Sequence, residues 1–148
     1  MLPDELRKLN PRGVEDANRL GDWLRASNAR PDHYICSTAE RTRQTLAALH
    51  CTSSVAFEPR LYLATPKDML KCIMEQPDTI QHLAVISHNP GLHILATQLV
   101  GSYAKPEDED RLMMKFPTAA TALFSLDLAH WRDIALHSAR LEYFFTQN

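Results

Sequence analysis

One pattern occurs twice in this 148-residue chain and constrains its fold more than any other feature. A strand-like apolar run ends in serine, and a helix-start signal follows at once. The first instance is Tyr34-Ile35-Cys36-Ser37-Thr38-Ala39-Glu40-Arg41; the second is Leu83-Ala84-Val85-Ile86-Ser87-His88-Asn89-Pro90. A run such as Leu83-Ala84-Val85-Ile86, apolar at every position, suits a strand covered on both faces. Strand-to-helix junctions of this kind build α/β folds with parallel strands, and there ligands gather at the carboxyl ends of the strands.

The remaining segments fit the same alternation. Asn10 is a natural N-cap, Pro11 suits the first helical position, and Val14, Ala17, Leu20 and Leu24 recur at helical spacing, which predicts a helix over 11–26. A short strand follows at 33–36. Ser37-Thr38-Ala39-Glu40 reads as a capping box opening a helix to about residue 49. Residues 55–57 read as a strand, and Thr65-Pro66-Lys67-Asp68 starts a helix through Met74. Asn89 is expected to cap a helix opened by Pro90, which runs to about Val100 and is closed by Gly101. The acidic run Glu107-Asp108-Glu109-Asp110 reads as a solvated loop, residues 118–126 as a strand, and 131–145 as one or two more. The order implies one domain over residues 1–148. Its expected form is an α/β three-layer sandwich with a mainly parallel central sheet, its last strands free to pair antiparallel at one edge.

Composition removes several classes of function. Sixteen basic residues against eighteen acidic ones give a net charge of −2, which speaks against a nucleic-acid footprint or a polybasic membrane anchor. No apolar run has the length of a membrane span, and the polar start MLPDELRKLNPRG does not read as a secretory signal. Cys36, Cys51 and Cys72 are odd in number and widely spaced, so neither a disulfide framework nor a CxxC metal pair is expected, and a reduced, cytoplasmic setting is. No Gly-rich phosphate loop occurs. His82, His88 and His93 lack a carboxylate or thiolate at ligand spacing, so the expectation is no metal and no cofactor.

The chemistry is expected at the two junctions. Arg41 falls in the first turn of its helix, where a cation gains nothing from the helix dipole and so needs another reason to be there. His88 stands at a strand end, where a tunable imidazole is often used. A guanidinium and an imidazole meeting beside helix N-termini make an anion site, most plausibly for phosphate. Arg41 could instead pair with Glu40 or another surface acid. Arg43 is expected to point elsewhere, Cys36 to be buried, and Ser37 to act as a cap, since no GxSxG elbow surrounds it.

These segments also carry a family resemblance. Asp4-Glu5-Leu6-Arg7-Lys8-Leu9-Asn10-Pro11-Arg12-Gly13, Cys36-Ser37-Thr38-Ala39-Glu40-Arg41-Thr42-Arg43-Gln44-Thr45, Val85-Ile86-Ser87-His88-Asn89-Pro90-Gly91 and Lys115-Phe116-Pro117-Thr118-Ala119-Ala120 stand in one order along the chain. Together they resemble the histidine phosphatase superfamily, and most closely its phosphohistidine phosphatase SixA branch. The resemblance implies a phosphoglycerate-mutase-like fold. It also implies a reaction in which a histidine of an Arg-His motif takes the phosphoryl group and water then releases it. By the same resemblance Arg41 and His88 are catalytic residues holding the phosphoryl oxygens, with Ser37 and the amides around Asn89 contributing to substrate binding.

Two departures from the family shape the expectation. No Arg-His dipeptide occurs in the sequence, so the nucleophile, one arginine and the first central strand are expected to be missing. The chain then reads as N-terminally truncated and inactive as it stands, either because the protein begins further upstream at a strand plus Arg-His, the favoured reading, or as a truncated gene product, with a gap between the strands ending at Ser37 and Ser87. Further, relatives acting on phosphoesters often carry an acid in an Arg-Leu-x-Glu pattern that protonates the leaving alkoxide. Here the stretch reads Arg60-Leu61-Tyr62-Leu63, with Glu58 close by. Phosphohistidine tolerates that loss, because imidazole leaves more readily than an alkoxide. The implied partner is a phosphorylated histidine-containing protein or a small phosphate compound, with no nucleic acid and no membrane. The alternatives are a non-catalytic phosphate or phosphoprotein binding module and a small-molecule phosphomonoesterase.

Overall fold

Asn10 starts the first helix as its side chain requires. Its carboxamide oxygen accepts from the Gly13 amide at 2.8 Å, and Pro11 fills a position whose N–H would have no helical partner. The computed structural model describes residues 2–28 and 30–146, and the chain falls into two compact units. The first runs to Leu63 and takes in Thr79–His88; the second holds Ala64–Asp78 and everything from Asn89 onward.

The first unit contains α1 (Pro11–Ala26), β1 (His33–Cys36), α2 (Glu40–Ala48), β2 (Ser54–Phe57) and β3 (Leu83–Ile86). Its three strands form a wholly parallel sheet in the order β2-β1-β3. Central β1 buries Tyr34, Ile35 and Cys36, as expected of a strand flanked on both sides. The register sets Cys36 opposite Phe57 on one side and Ile86 on the other. The Ser37 amide extends the ladder by one bond to the Ile86 carbonyl, at 2.9 Å. At the opposite end the Asp32 carboxylate accepts from the Gln81 and His82 amides, at 3.0 and 3.1 Å.

This pairing overturns one expectation. The strands ending at Ser37 and Ser87 are immediate neighbours, bonded residue for residue, with no gap between them. What differs from the expected doubly covered strand is β3 itself, which lies at the edge of its sheet with all four residues only half-buried.

The second unit contains α3 (Pro66–Met74), α4 (Gly91–Leu99), β4 (Val100–Tyr103), α5 (Pro106–Met114), β5 (Thr121–Ser125) and β6 (Ala139–Phe145). Its sheet has the order β4-β6-β5, with β4 parallel and β5 antiparallel to β6. Ala96, Val100, Leu112, Phe116, Leu141 and Phe144 pack together as its core. Three local expectations fail here. The acidic run is part of α5: Pro106 opens the helix, three acids in its first turn complement the dipole, and Leu112 is fully buried. Gly101 does not close a helix but lies within β4, where a Cβ would come within 2.1 Å of the His137 carbonyl oxygen. Asn89 does not cap α4; Pro90 holds the cap position, and the Asn89 side chain donates to the Phe116 carbonyl at 2.8 Å.

Gly21 is where α1 meets the end of α2. A Cβ there would lie 2.5 Å from the Leu49 carbonyl oxygen and 2.9 Å from the Leu49 Cα. Both obstacles are backbone, so neither can swing aside. Gly21→Ala is therefore expected to destabilise the protein: overpacking costs about 1–3 kcal/mol, more than the roughly 1 kcal/mol that alanine gains as a helix former. A urea titration checks this by a lower midpoint at unchanged slope.

Candidate functional site: an arginine, a histidine and an internal carboxylate

The β1–β3 register brings two chain corners side by side, and the site forms where they meet. Ser37 follows β1 and is fully buried; His88 follows β3 and is 8% exposed. Ser37 Oγ and His88 Nε2 are 2.7 Å apart. Ser37 is thus not the cap of α2. Ala39 holds the cap position, its amide reaching Ser37 Oγ only at 3.4 Å, and Thr42 Oγ1 donates to the Ser37 and Ala39 carbonyls at 2.8 and 2.9 Å. The hydroxyl is spent on the histidine. Ser87 plays a different part. Its hydroxyl donates to the Leu61 carbonyl at 2.7 Å and ties the end of β3 to the turn at Pro59–Leu61.

Arg41, in the first turn of α2, reaches back to the same place. Its Nη2 lies 3.4 Å from His88 Nδ1. A guanidinium can only donate, so Nδ1 is the bare nitrogen and Nε2 carries the proton toward Ser37. Burial, and after it the Arg41 charge, hold the His88 pKa below its ordinary 6.5, with Asp4 pulling weakly the other way. A neutral imidazole beside a fixed cation is the consistent state.

Arg41 does not pair with Glu40. Its partner is Asp4, carried by a three-residue 3-10 turn, Asp4–Leu6. Nη1 donates to the Asp4 backbone carbonyl at 2.8 Å and to Oδ1 at 3.3 Å, and Nη2 donates to Oδ2 at 3.4 Å. Tyr62 donates its hydroxyl to the same Oδ2, and its ring stands edge-on to the His88 imidazole with centroids 5.4 Å apart. Arg7 adds a 2.9 Å ion pair to Oδ1. The Tyr62 hydrogen bond, followed by Arg41, holds the Asp4 carboxyl below its ordinary range despite some desolvation, and the phenol is pushed up in return.

Arg41, His88 and Ser37 are therefore together, as the sequence suggests. The Asn89 side chain is committed to Phe116. Arg43 turns outward, its guanidinium 4.1 Å from the Phe57 ring centroid. Asp4 and Tyr62 escape sequence reasoning, because their proximity to Arg41 spans 37 and 21 positions along the chain; the one signal was that both lie in segments singled out for other reasons. Glu58 is no free acid: Arg60, through its side chain and backbone, holds its carboxyl low. Among the described residues no group of three His, Cys, Asp or Glu side chains is arranged to hold a metal ion, and no helix is long and apolar enough to cross a membrane.

Chemically, the cluster offers a fixed cation, a hydroxyl donor and an imidazole around one carboxylate-sized anion. It offers no proton donor of carboxylic-acid type, since Asp4 is held ionised.

Comparison with known proteins agrees with this picture. The family model of the histidine phosphatase superfamily (branch 1) matches residues 7–62. An uncharacterized protein of Mycobacterium leprae is 34% identical over 143 residues, spanning 97% of this chain and 88% of the relative. A second, from Mycobacterium tuberculosis, is 35% identical over 134 residues, or 90% and 84% of the two chains. Among solved structures, a protein assigned as phosphohistidine phosphatase SixA from Nakamurella multipartitia superposes with a TM-score of 0.88 at 29% identity, covering 99% of this chain and 88% of the other. Another so assigned, from Agrobacterium tumefaciens, gives 0.78 at 25% identity over 98% and 86%. The protein histidine phosphatase SixA complexed with tungstate shares the fold, with a TM-score of 0.75 at 18% identity over 99% and 88%.

The neutral state of His88 has a measurable consequence. The unfolded chain takes up this proton near pH 6.5, whereas the folded chain resists it, so stability is highest above that pH and falls as acid is added through the interval between the two values. Titration of the His88 ring by NMR is expected to give a midpoint below 6.5, and His88→Gln is expected to flatten this part of the stability–pH curve. Taken together, the family match, the relatives and the shared architecture place the chain in the histidine phosphatase superfamily, in its SixA-like branch.

Proposed function

We propose that the cluster of Arg41, His88 and Ser37 is a phosphoryl-binding pocket and that its substrate is phosphohistidine on a protein. The observation that carries this reading is the convergence of a guanidinium and a neutral, hydrogen-bonded imidazole from two separate strand ends, 3.4 Å apart and already closed around an anionic group. The SixA assignment of the structural neighbours supports the substrate class. So does the acid inventory. Leu63 stands where an Arg-Leu-x-Glu pattern would have its acid and is exposed, Glu58 is paired with Arg60, and Asp4 is held ionised. A phosphoester would find no carboxylic acid among these to protonate its alkoxide; a phosphohistidine needs much less help, since its leaving group is an imidazole.

In this reading Arg41 neutralises the phosphoryl charge, and His88 takes up a proton at Nδ1 as the anion approaches and donates a second hydrogen bond to it. Ser37 keeps the ring oriented. The phosphoryl transfer itself calls for a nucleophilic histidine, and this sequence holds no Arg-His dipeptide. What these residues supply in this reading is the phosphoryl-binding pocket. With an Arg-His strand added ahead of them as a test, hydrolase activity is the expected outcome.

Calorimetry with inorganic phosphate or vanadate tests the pocket. Binding is expected, and Arg41→Ala or His88→Ala is expected to weaken it at least tenfold, the scale of losing one charge-assisted hydrogen bond. Well-folded protein with no affinity for either anion would sink the reading. The extended form should dephosphorylate a phosphohistidine protein faster than it cleaves an aryl phosphate ester; the reverse order would instead make it a small-molecule phosphomonoesterase.

A further inference from the structure

The anion site is not empty of negative charge: Asp4 fills it. Its carboxylate takes hydrogen bonds from both terminal nitrogens of Arg41 and from the Tyr62 hydroxyl, while the Tyr62 ring lies edge-on to His88. This is the donor set a phosphoryl group would need, arranged around a planar anion supplied by the chain itself. We propose that Asp4 is an internal stand-in for the ligand and that Tyr62 is a further ligand-binding residue. An incoming phosphoryl group is then held by Arg41 and Tyr62, beside His88, in exchange for the carboxylate. The identity of the incoming anion rests on the phosphate reading above; the exchange itself does not.

Three observations favour exchange over a permanent structural pair. The Arg41 bonds to the two carboxylate oxygens are 3.3 and 3.4 Å, longer than the 2.7–2.9 Å usual for a charge-assisted pair, and its one short bond, 2.8 Å, goes to the Asp4 backbone carbonyl and not to the carboxylate. The turn that carries Asp4 buries none of its three residues, and the Asp4 side chain is 41% exposed, so lifting it uncovers little apolar surface. Arg7, next to that turn, is the closer cation at 2.9 Å and leaves together with Asp4, so the departing segment keeps its own charge partner. Tyr62 stays behind with its proton, because a phenol free of Asp4 is still protonated at neutral pH, and it remains a donor there.

The test is calorimetry at neutral pH with two probes, inorganic phosphate and acetate, on the full chain and on Asp4→Ala, Asp4→Asn, Tyr62→Phe and the Asp4→Ala/Tyr62→Phe double variant. Removing the competitor is expected to tighten phosphate binding about tenfold, and removing the phenol in that background to weaken it by a similar factor, each on the scale of one charge-assisted contact. Acetate is expected to bind Asp4→Ala, refilling the carboxylate position, and not the parent chain. Phosphate binding that is unchanged or weaker in both Asp4 variants overturns the proposal while leaving the phosphate pocket standing. Acetate binding without phosphate binding in Asp4→Ala upholds the exchange site and removes the phosphate reading instead. If Asp4→Ala binds neither anion while melting like the parent, the exchange is refuted. Should Asp4→Ala melt earlier, Asp4→Asn, which keeps the size and the tyrosine contact, is judged by the same phosphate criterion.

Discussion

The site depends on how β1 is aligned with β3. Four parallel rungs pair His33 with Leu83 through Cys36 with Ile86, and the Ser37 amide adds a further bond to the Ile86 carbonyl. Because the two strands run the same way and finish level, the residues just beyond them share one corner. Ser37 and His88 lie 51 positions apart along the chain, yet their side chains are in hydrogen-bond contact there. Arg41 then needs only one turn of helix to reach the same point. No single residue in this arrangement is unusual; the chemistry comes from the alignment of two short strands.

Electrostatics keeps the corner consistent. A protonated imidazole against Arg41 would place two positive charges in a poorly solvated position, so the ring gives up its proton, and the bare nitrogen becomes an acceptor for the guanidinium. The remaining positive charge is met by Asp4, which two cations and a phenol keep ionised. The result is a cluster in which the cations and the carboxylate meet one another directly. A tetrahedral dianion in place of a carboxylate would shift the balance toward a protonated His88, drawing the ring from a passive acceptor into a donor.

Much of this was readable in the chain, and what was not has a physical reason. Helix α1, strands β1 and β3 and helix α3 carry strong local signals: Asn10 and Thr65 each accept from the amide three residues on, with proline between. Local signals mislead where a side chain has a better long-range partner. Ser37 resembles a cap but bonds His88, and Asn89 resembles a cap but bonds Phe116. Charge misled at 107–110, where acids look solvated and are in fact well placed at the positive end of α5. Gly101 looks like a terminator because glycine often is one, yet what demands it is the close approach of the His137 carbonyl, a contact no local pattern records. Arg41 and His88 were visible as a cation and an imidazole at matching corners. Asp4 and Tyr62 were not, since what brings them to the site is a neighbour far away in sequence.

The β1–β3 pair is fastened at both extremities: Asp32 grips two amides at the amino end, and the Ser37–His88 contact closes the carboxyl end. In so brief a parallel ladder, sliding one strand by a single residue would turn every side chain over and aim Ser87, in place of His88, along the opposite face. The two clasps forbid that shift, because either one breaks if the strands slide at all. The corner that holds Arg41 and His88 is thus protected against misalignment by a carboxylate at the far end of the sheet.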